Sequence, residues 1–347
     1  MSNSYDEKYE FRVANINDID AIIKFIDTYW KKGHIMATNR ELFEYEFLEA
    51  DGTVNFILAI DRKKGTIECL NGFLKASHDK EHMDVWGSIW KVLDGNMGML
   101  GAELIKRRQE LTGCRCDLDV GDNPKTAIPV FKVLLKRYTC KMHHYYILAQ
   151  ISDFKIAKVE KYPKRKQGIK TYNVIKFDNI DELAEKYDCK RYIDATPYKD
   201  YWYINHRFFN HPIYDYDVYG IEENGNTKAL AVFRKQKYED RIAIRFVDYI
   251  GERSLISGMG EFLRKLLDET EGAEYVDFYC AGINEEYVLE AGFTEVTEED
   301  GNIIPNYFGP FLRENIDIWV DSKDKNSLFT KADADQDRPN KIEGVEL

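Results

Sequence analysis

Gly98 and Gly121 stand 23 residues apart, and Gly258 and Gly282 stand 24 apart. In both places the first glycine opens a predicted helix and the second ends the predicted strand that follows. The interval between the two copies is far longer than the roughly 20–50-residue period of a solenoid, so the pattern reads as a duplicated unit. It asks for two lobes of similar topology. A chain of 347 residues has room for two cores of about 150 residues each.

Periodicity fills in each copy. Glu7–Ala14 alternates as a strand does, and Asn17 stands at an N-cap position ahead of DIDAIIKFIDTYW, where Ile19, Ile22, Ile23 and Ile26 recur at helical spacing. NRELFEYEFLEA reads as a second helix. TVNFILAI and GTIECLNGFLKA read as strands joined by the turn DRKKG, and MDVWGSIWKVL as a third. DGNMGMLG leads into the helix AELIKRRQELTG, which Gly113 stops as a C′ glycine would. CRCDLDVG is a short buried strand, KTAIPVFKVLLKRY a helix and KMHHYYILAQ a strand. The second copy starts with a helix near Ile180–Tyr187 and the hairpin YDVYGIEENGNTKALAVFRKQ over the turn ENGN. The strand RIAIRFVDYIG, the loop and helix ISGMGEFLRKLLDETEG, the strand EYVDFYCAG, the short helix NEEYVLEAGF and the closing strand DIWV complete it.

The expected fold class is α/β (α+β): two lobes, each a mixed, mostly antiparallel sheet flanked by helices. Residues 1–155 form the first lobe, 156–178 a linker, 179–322 the second lobe and 323–347 a polar acidic tail. Within that tail DADQDRPN alternates acids like a calcium loop, but it lacks the loop's glycine and its twelfth-position glutamate. No metal is expected, and the tail reads as solvated, resting on the second lobe.

At 44% hydrophobic and 14% aromatic the composition is that of packed cores, not of a disordered chain. A net charge of −12 is a poor match to a phosphate backbone, so no nucleic-acid partner is expected. The basic run Lys161–Lys170 reads as a solvated linker. The six cysteines are scattered, without metal-knuckle spacing, and read as buried free thiols in a reducing compartment. MSNSYDEKYEF lacks the basic and apolar regions of a leader, and no window approaches 18 apolar residues, so a cytoplasmic protein with no membrane partner is expected.

A glycine loop between strand and helix can cradle an anion, because glycine lets the backbone come close and the helix's first N–H groups are unpaired. GNMGMLGAEL and LISGMGEFL both have that form, and neither is a Rossmann or P-loop fingerprint. In the order strand, two helices, three antiparallel strands, glycine loop, helix, strand, helix, strand, the chain resembles the GNAT family of acyl-CoA N-acyltransferases. There the loop runs Gln or Arg, two residues, Gly, one residue, then Gly or Ala, and its amides bind the CoA pyrophosphate. Gly98 fills the central glycine of the first lobe, with Gly95 and Leu100 departing from the flanking positions. Gly258 and Gly260 match in the second lobe, with Leu255 in place of the Gln or Arg. VGDNPKTAIPVFKVL resembles the family stretch whose Asn and following Ala flank the pantetheine arm, and Asn123 and Ala127 hold those places. AGINEEYVLEAGF lacks that pair. The resemblance thus implies acetyl-CoA as co-substrate in the first lobe, against Trp90, Met97, Gly98, Met99, Leu100, Gly101, Ala102, Asn123 and Ala127.

Within that family the chain looks most like bacterial N-acetyltransferases acting on nucleotide-linked amino sugars, of dTDP type, in surface-polysaccharide biosynthesis. HHYYIL, RFFNHPIYDYDVYGI, EYVDFYCAGI and IPNYFGPFLRENIDIWV carry this likeness. A nucleotide-sugar acceptor needs cations for phosphate, aromatic faces for the base and amides for the sugar. Arg207, His211, Tyr214, Asn306, Tyr307 and Phe308 offer that mixture, with Tyr216 beside them. A plainer alternative puts Tyr214 and Tyr216 on one face of an ordinary half-buried strand.

For acyl transfer, N–H groups of MDVWGSIWKVL are the expected oxyanion donors. Asp119, ending the buried strand, and His144, which matches the family's His-Tyr-Tyr pattern, are the candidate proton acceptors. A structural cap and a packing histidine are the alternatives for these two. His143 faces the opposite side of the strand from His144. Two other readings stay open: a Fem-type aminoacyl transferase, which the −12 charge disfavours, and a non-catalytic protein whose loops hold no CoA.

Overall fold

The structure, a computed structural model, describes residues 4–164 and 170–340, so residues 165–169 of the basic run Lys161–Lys170 lie outside it. The first unit opens with α1 (Ser4–Lys8) and β1 (Tyr9–Asn15). The Asn15 side chain accepts from the Asn17 N–H, and the Asp18 carboxylate accepts from the Asn15 N–H. This reciprocal box makes Asn15 the cap in place of the expected Asn17, because the acid it needs stands three residues on. Helices α2 (Ile19–Phe25), α3 (Ile35–Thr38) and α4 (Arg40–Phe47) follow. Strands β2 (Thr53–Asp61), β3 (Ile67–Lys75) and β4 (Asp84–Val92) pair antiparallel in succession. Helix α5 (Leu100–Thr112) ends on Gly113 at φ 70°, and β5 (Cys116–Val120) returns parallel to β4.

The helix expected over KTAIPVFKVLLKRY shrinks to α6 (Ala127–Pro129) and one wide turn at Val130–Leu134. There the chain leaves the helical path and turns Arg137 inward, before the short strand β6 (Tyr138–Lys141).

The second unit contains β7 (His143–Leu148), β8 (Asn173–Phe177), α7 (Ile180–Lys186), α8 (Tyr201–Ile204) and β9 (Asp217–Glu223). Strands β10 (Asn226–Tyr238) and β11 (Arg241–Gly251) precede α9 (Gly260–Glu269), β12 (Ala273–Ala281) and α10 (Glu285–Glu290). The short strands β13 (Thr294–Glu295), β14 (Tyr307–Phe308) and β15 (Phe311–Leu312) come next. β16 (Trp319–Ser322) and β17 (Phe329–Thr330) are the last. One sheet runs β1-β2-β3-β4-β5-β16-β6 and the other β13-β7-β12-β11-β10-β9-β8, each with a parallel pair at its heart, β4/β5 or β11/β12.

Two strands lie elsewhere than the sequence predicts. HHYYIL, expected to finish the first lobe, pairs antiparallel with β12 in the second sheet, Tyr275 opposite Leu148. DIWV, expected to close the second lobe, pairs with β5 in the first sheet, Val320 opposite Val120. Of the described residues, the first unit therefore holds those up to Thr139, then Trp319–Lys325 and 338–340; the second holds those of Cys140–Ile318 and Asn326–Asp337. This replaces the expected boundary at 155. The expected linker also belongs to the second unit: Ile156 and Ala157 are core residues and Asn173–Phe177 is a strand. Nor is residues 326–337 a solvated tail. Phe329, Ala332 and Ala334 are buried, and Asp333 and Asp337 are paired inside with Lys199 and Arg234.

None of the six cysteines forms a disulfide; five of them are buried and Cys140 is half-buried. Among the described residues no helix is long and apolar enough to cross a membrane.

Candidate functional site

In the first unit β4 and β5 begin as a paired ladder and then part. Their register runs from Asp84 opposite Cys116 to Gly87 opposite Asp119, while β4 continues to Val92. Among the described residues no strand takes up the β5-facing side of Ser88–Val92. On its other side β4 bulges: the β3 register steps from Asn71 opposite Trp90 to Phe73 opposite Gly87, leaving Ser88 and Ile89 against the single residue Gly72. A bulge takes backbone groups out of the ladder and re-aims them. Beside an open strand edge, such groups can bind an extended ligand like an added strand and hold a developing oxyanion.

The β4–α5 loop closes one end of this notch. Tyr9 braces it from beneath: its hydroxyl donates to Asn96 Oδ1 at 3.0 Å and accepts from the Met97 N–H at 3.2 Å. Asn96 in turn donates to Glu68 at 2.9 Å. Above, Gly98 is exposed and a Cβ built on it meets no atom within 4 Å, and Met99 stands out with φ 62° and 54% exposure. Leu100, Gly101 and Ala102 point inward; a Cβ on Gly101 would press on Val92 and Trp90. Trp90 packs on Phe131 with ring centroids 5.7 Å apart. Asn123 accepts from the N–H groups of Lys125 and Thr126, capping the turn that starts α6, and Ala127 is buried with Ile105 and Phe131.

Where β4 and β5 part, a buried charge cluster sits against the strand. A Cβ on Gly87 would overlap Asp119 Oδ1 and Arg108 Nη1, so only glycine lets the cluster approach. Arg108, fully buried on α5, forks onto Asp119 and reaches Asp117 at 3.3 Å and Asn71 at 3.1 Å. Arg137 binds Asp117, Asp119 at 2.9 Å and Asp321 at 2.7 Å. Burial works to raise the Asp117 carboxyl, and the two guanidiniums outweigh it, holding the group at about 2. Asp119 is therefore gripped between two arginines, an arrangement that spends its acceptor capacity on structure.

The sequence reading missed Arg108, Arg137 and Asp321 altogether. Its one available signal was the alternation CDLDV, which puts Asp117 and Asp119 on the same strand face. It also missed Arg338, which donates to Glu46 of α4 at 2.5 Å and to the Ser88 hydroxyl at 3.2 Å, on the first residue beyond the last β4–β5 pair. No local pattern links residues 292 positions apart.

The second unit has the same notch, already filled from within. The parallel register of β11 and β12 ends at Phe246 opposite Phe278, and β11 carries an extra residue, Val247, against β10. The segment after β16 lies in the gap: Phe329 and Thr330 pair with Ala281 and Cys280, and the Ala332 N–H donates to the Val247 carbonyl at 2.7 Å. Lys199 locks it, reaching Asp248 at 2.6 Å and Asp333 at 2.7 Å, while the Thr330 hydroxyl donates to Asp248 at 2.8 Å. The glycine loop is covered too, since a Cβ on Gly258 would overlap the Tyr172 ring.

The expected acceptor residues all lie in this unit, Asn306 buried, Tyr307 exposed and the others half-buried. Arg207, His211, Tyr214 and Tyr216 lie in a helical turn and loop before β9, not in the strand that the Tyr-Asp alternation predicts. Arg207 donates to the Tyr216 hydroxyl at 2.9 Å and to the Asp337 carbonyl at 3.0 Å; Tyr216 donates to the Asp337 carboxylate at 2.9 Å. His211 Nδ1 accepts from the Ile213 and Tyr214 N–H groups, and burial, with Arg207 nearby, lowers its pKa to about 3. Tyr214 stacks under the Arg234 guanidinium at 4.0 Å. Asn306 Oδ1 accepts from Arg245 at 2.7 Å and from Lys331 at 2.6 Å, Phe308 packs near Arg245, and Tyr307 is 38% exposed. His144 stacks on Tyr279 at 3.8 Å and bonds Asp277 at 3.2 Å; burial lowers its pKa. The two expected proton acceptors, Asp119 and His144, thus stand in different units.

No family model matches the chain, nor does any curated protein. Among solved structures it is similar to a GCN5-related N-acetyltransferase from Anabaena variabilis, with TM-score 0.54 and 8% identity over 90% of this chain and 72% of that one. A conserved protein of unknown function from Enterococcus faecalis superposes with TM-score 0.50 and 7% identity, over 90% and 71% of the two chains. At such identity the likeness carries the fold alone, and the fold is that of the GCN5-related N-acetyltransferases.

Proposed function

We propose that this protein is an acyl-CoA-dependent N-acyltransferase and that its first unit holds the acyl-CoA. The observation carrying this is the contrast between two notches of one design. In the second unit the chain itself lies along the strand edge and a tyrosine covers the glycine loop. In the first, Gly98 is uncovered and the Ser88–Val92 edge takes no further strand among the described residues. An extended pantetheine arm fits the β4 edge, the amides from Gly98 to Ala102 suit a pyrophosphate, and the Ser88–Ile89 bulge suits the thioester oxyanion. Placing amine and thioester together supplies much of the rate, up to about 7–11 kcal/mol of the barrier in ideal cases.

Isothermal titration of the full chain with CoA tests this. One CoA per chain is expected, and no binding at millimolar CoA sinks the reading. Gly98→Val sharpens it. Its new side chain enters open space, so the melting temperature should stay put, while the backbone's approach to the pyrophosphate is blocked and CoA affinity falls at least tenfold. Unchanged affinity would move the anion site away from this loop.

The acceptor we propose is the amine of a nucleotide-linked amino sugar of dTDP type, with acetyl as the group transferred. The support is the resemblance of HHYYIL, RFFNHPIYDYDVYGI and IPNYFGPFLRENIDIWV, with Tyr307 exposed for stacking. Arg207 takes part only if the Asp337 carbonyl gives up its bond. Thiol release from acetyl-CoA against a panel of dTDP- and UDP-amino sugars is the assay; no release with any of them excludes this acceptor class.

A further inference from the structure

We infer that Arg338 is a positioning residue of the open notch: gripped by Glu46, it fixes Ser88 and with it the β4 bulge, a role that rests on the acyltransferase reading above. Ser88 is the first residue of β4 beyond the last β4–β5 pair, Gly87 with Asp119. With Ile89 it stands against the single residue Gly72 of β3. An extra, unpaired residue leaves a bulge less constrained than the ladder around it, so its shape depends on what packs there.

Packing brings the clamp to this point. Gly72 makes room on β3 for two rings: a Cβ there would come within 3.0 Å of Phe56 and 3.4 Å of Phe47. Those rings lie 4.7 Å apart and seat the end of α4 beside the bulge's partner residue. Glu46, next to Phe47, is carried there with it. Arg338 Nε donates to Glu46 Oε2 at 2.8 Å, and Nη2 donates to the same oxygen at 2.5 Å. The guanidinium carbon stands 5.4 Å from the Phe47 ring centre. A guanidinium is planar, so bonds from Nε and Nη2 fix its plane and the direction of the second Nη2 hydrogen. There Nη2 donates to the Ser88 hydroxyl at 3.2 Å. Arg338 is 7% exposed, which leaves water little access to these bonds. Desolvation offsets much of the attraction in a buried ion pair, and what this pair adds is a fixed direction.

Direction matters to the chemistry. The neutral amine's lone pair forms the C–N bond, and the carbonyl π pair moves onto oxygen beside the bulge. Collapse of that oxyanion breaks the C–S bond, and the thiolate leaves with a proton from the nitrogen as thiol. Donors stabilise the oxyanion only when aimed at the place where it forms, and a misplacement of about 1 Å can cost about a hundredfold in rate. Arg338 acts through Ser88 and not on the acyl group itself.

The test has an arm that needs no acceptor. Infrared difference spectra of the full chain with acetyl-CoA, isotopically labelled at the thioester carbonyl, should show that band at lower frequency when bound than when free. Ser88→Ala and Arg338→Ala should each give back most of the displacement, with CoA affinity by calorimetry within about twofold of wild type. Arg338→Ala strands Glu46; Ser88→Ala leaves the ion pair whole and carries the test if the first variant does not fold. The double variant should do no worse than Arg338→Ala alone, because one residue acts through the other. Arg338→Lys keeps the charge without the fork and should behave nearly as Arg338→Ala. With an amino sugar that turns over, Arg338→Ala should lower kcat at least tenfold at an unchanged KM for acetyl-CoA. A band that stays put on binding to wild type, or moves equally in Arg338→Ala, overturns the inference. Additive losses in the double variant also overturn it, and full recovery by Arg338→Lys assigns the effect to charge and overturns it too. No CoA binding by wild type overturns the acyltransferase reading and this role with it; binding without turnover leaves the infrared comparison to decide Arg338.

Discussion

Arg108→Leu is expected to destabilise the first unit by about 3–5 kcal/mol, the usual penalty for removing one partner of a buried charge set. Arg108 is fully buried and its guanidinium reaches Asp119, Asp117 and Asn71. Without it the cluster holds an excess of carboxylates, with Arg137 the remaining buried cation facing them. Arg108→Lys should recover only part of the loss, since a single ammonium cannot fork onto two oxygens of Asp119. Two units need not unfold together, so the readout must be local. Tryptophan fluorescence suits it: Trp30, Trp86, Trp90 and Trp319 belong to the first unit and Trp202 alone to the second. A midpoint in urea within experimental error of wild type would show that the cluster contributes nothing to folding.

Asp337→Ala should loosen the second unit by a similar amount, about 3–5 kcal/mol. Asp337 takes two bonds from Arg234, at 2.7 and 3.1 Å, and one from Tyr216, and its removal strands a buried guanidinium. Its neighbours Lys199, Asp248 and Asp333 remain, so the filled notch should open mainly at its far end. Hydrogen exchange should rise at the Ala332 amide, which bonds the Val247 carbonyl, while β2 and β3 of the first unit stay protected. The sign with pH is fixed by the pair itself. Burial opposes the ionised Asp337, but Arg234 outweighs it and holds the carboxyl below its ordinary range. Its contribution is therefore present at neutral pH and is lost as pH falls through the acid range. Wild type and Asp337→Ala should converge in stability under acid conditions. Equal stability at neutral pH would mean that the tail is not held by this pair.

Local physics made much of the core legible. Alternation in TVNFILAI and GTIECLNGFLKA, helical spacing in AELIKRRQELTG, and glycines that end helices or turn strands act within a few residues, and those elements form as the sequence predicts. The glycine-spacing argument also found the loop that stays open, at Gly98. It could not tell that Gly258, its counterpart, is covered by a tyrosine 86 positions earlier in the chain. RFFNHPIYDYDVYG misled through its alternation, since the charges that decide its shape come from Arg234 and Asp337.

By itself the sequence determined the main strands and helices of the two sheets, because period and turn chemistry are short-range. Only the tertiary structure decided which sheet HHYYIL and DIWV enter, because an apolar strand carries the same alternation whichever partner it meets. It alone decided which notch is filled, and it gathered Arg108, Arg137, Asp117, Asp119 and Asp321 into one buried set. A charge enters the interior only where partners from distant parts of the chain arrive with it, and that meeting leaves no mark on the local pattern.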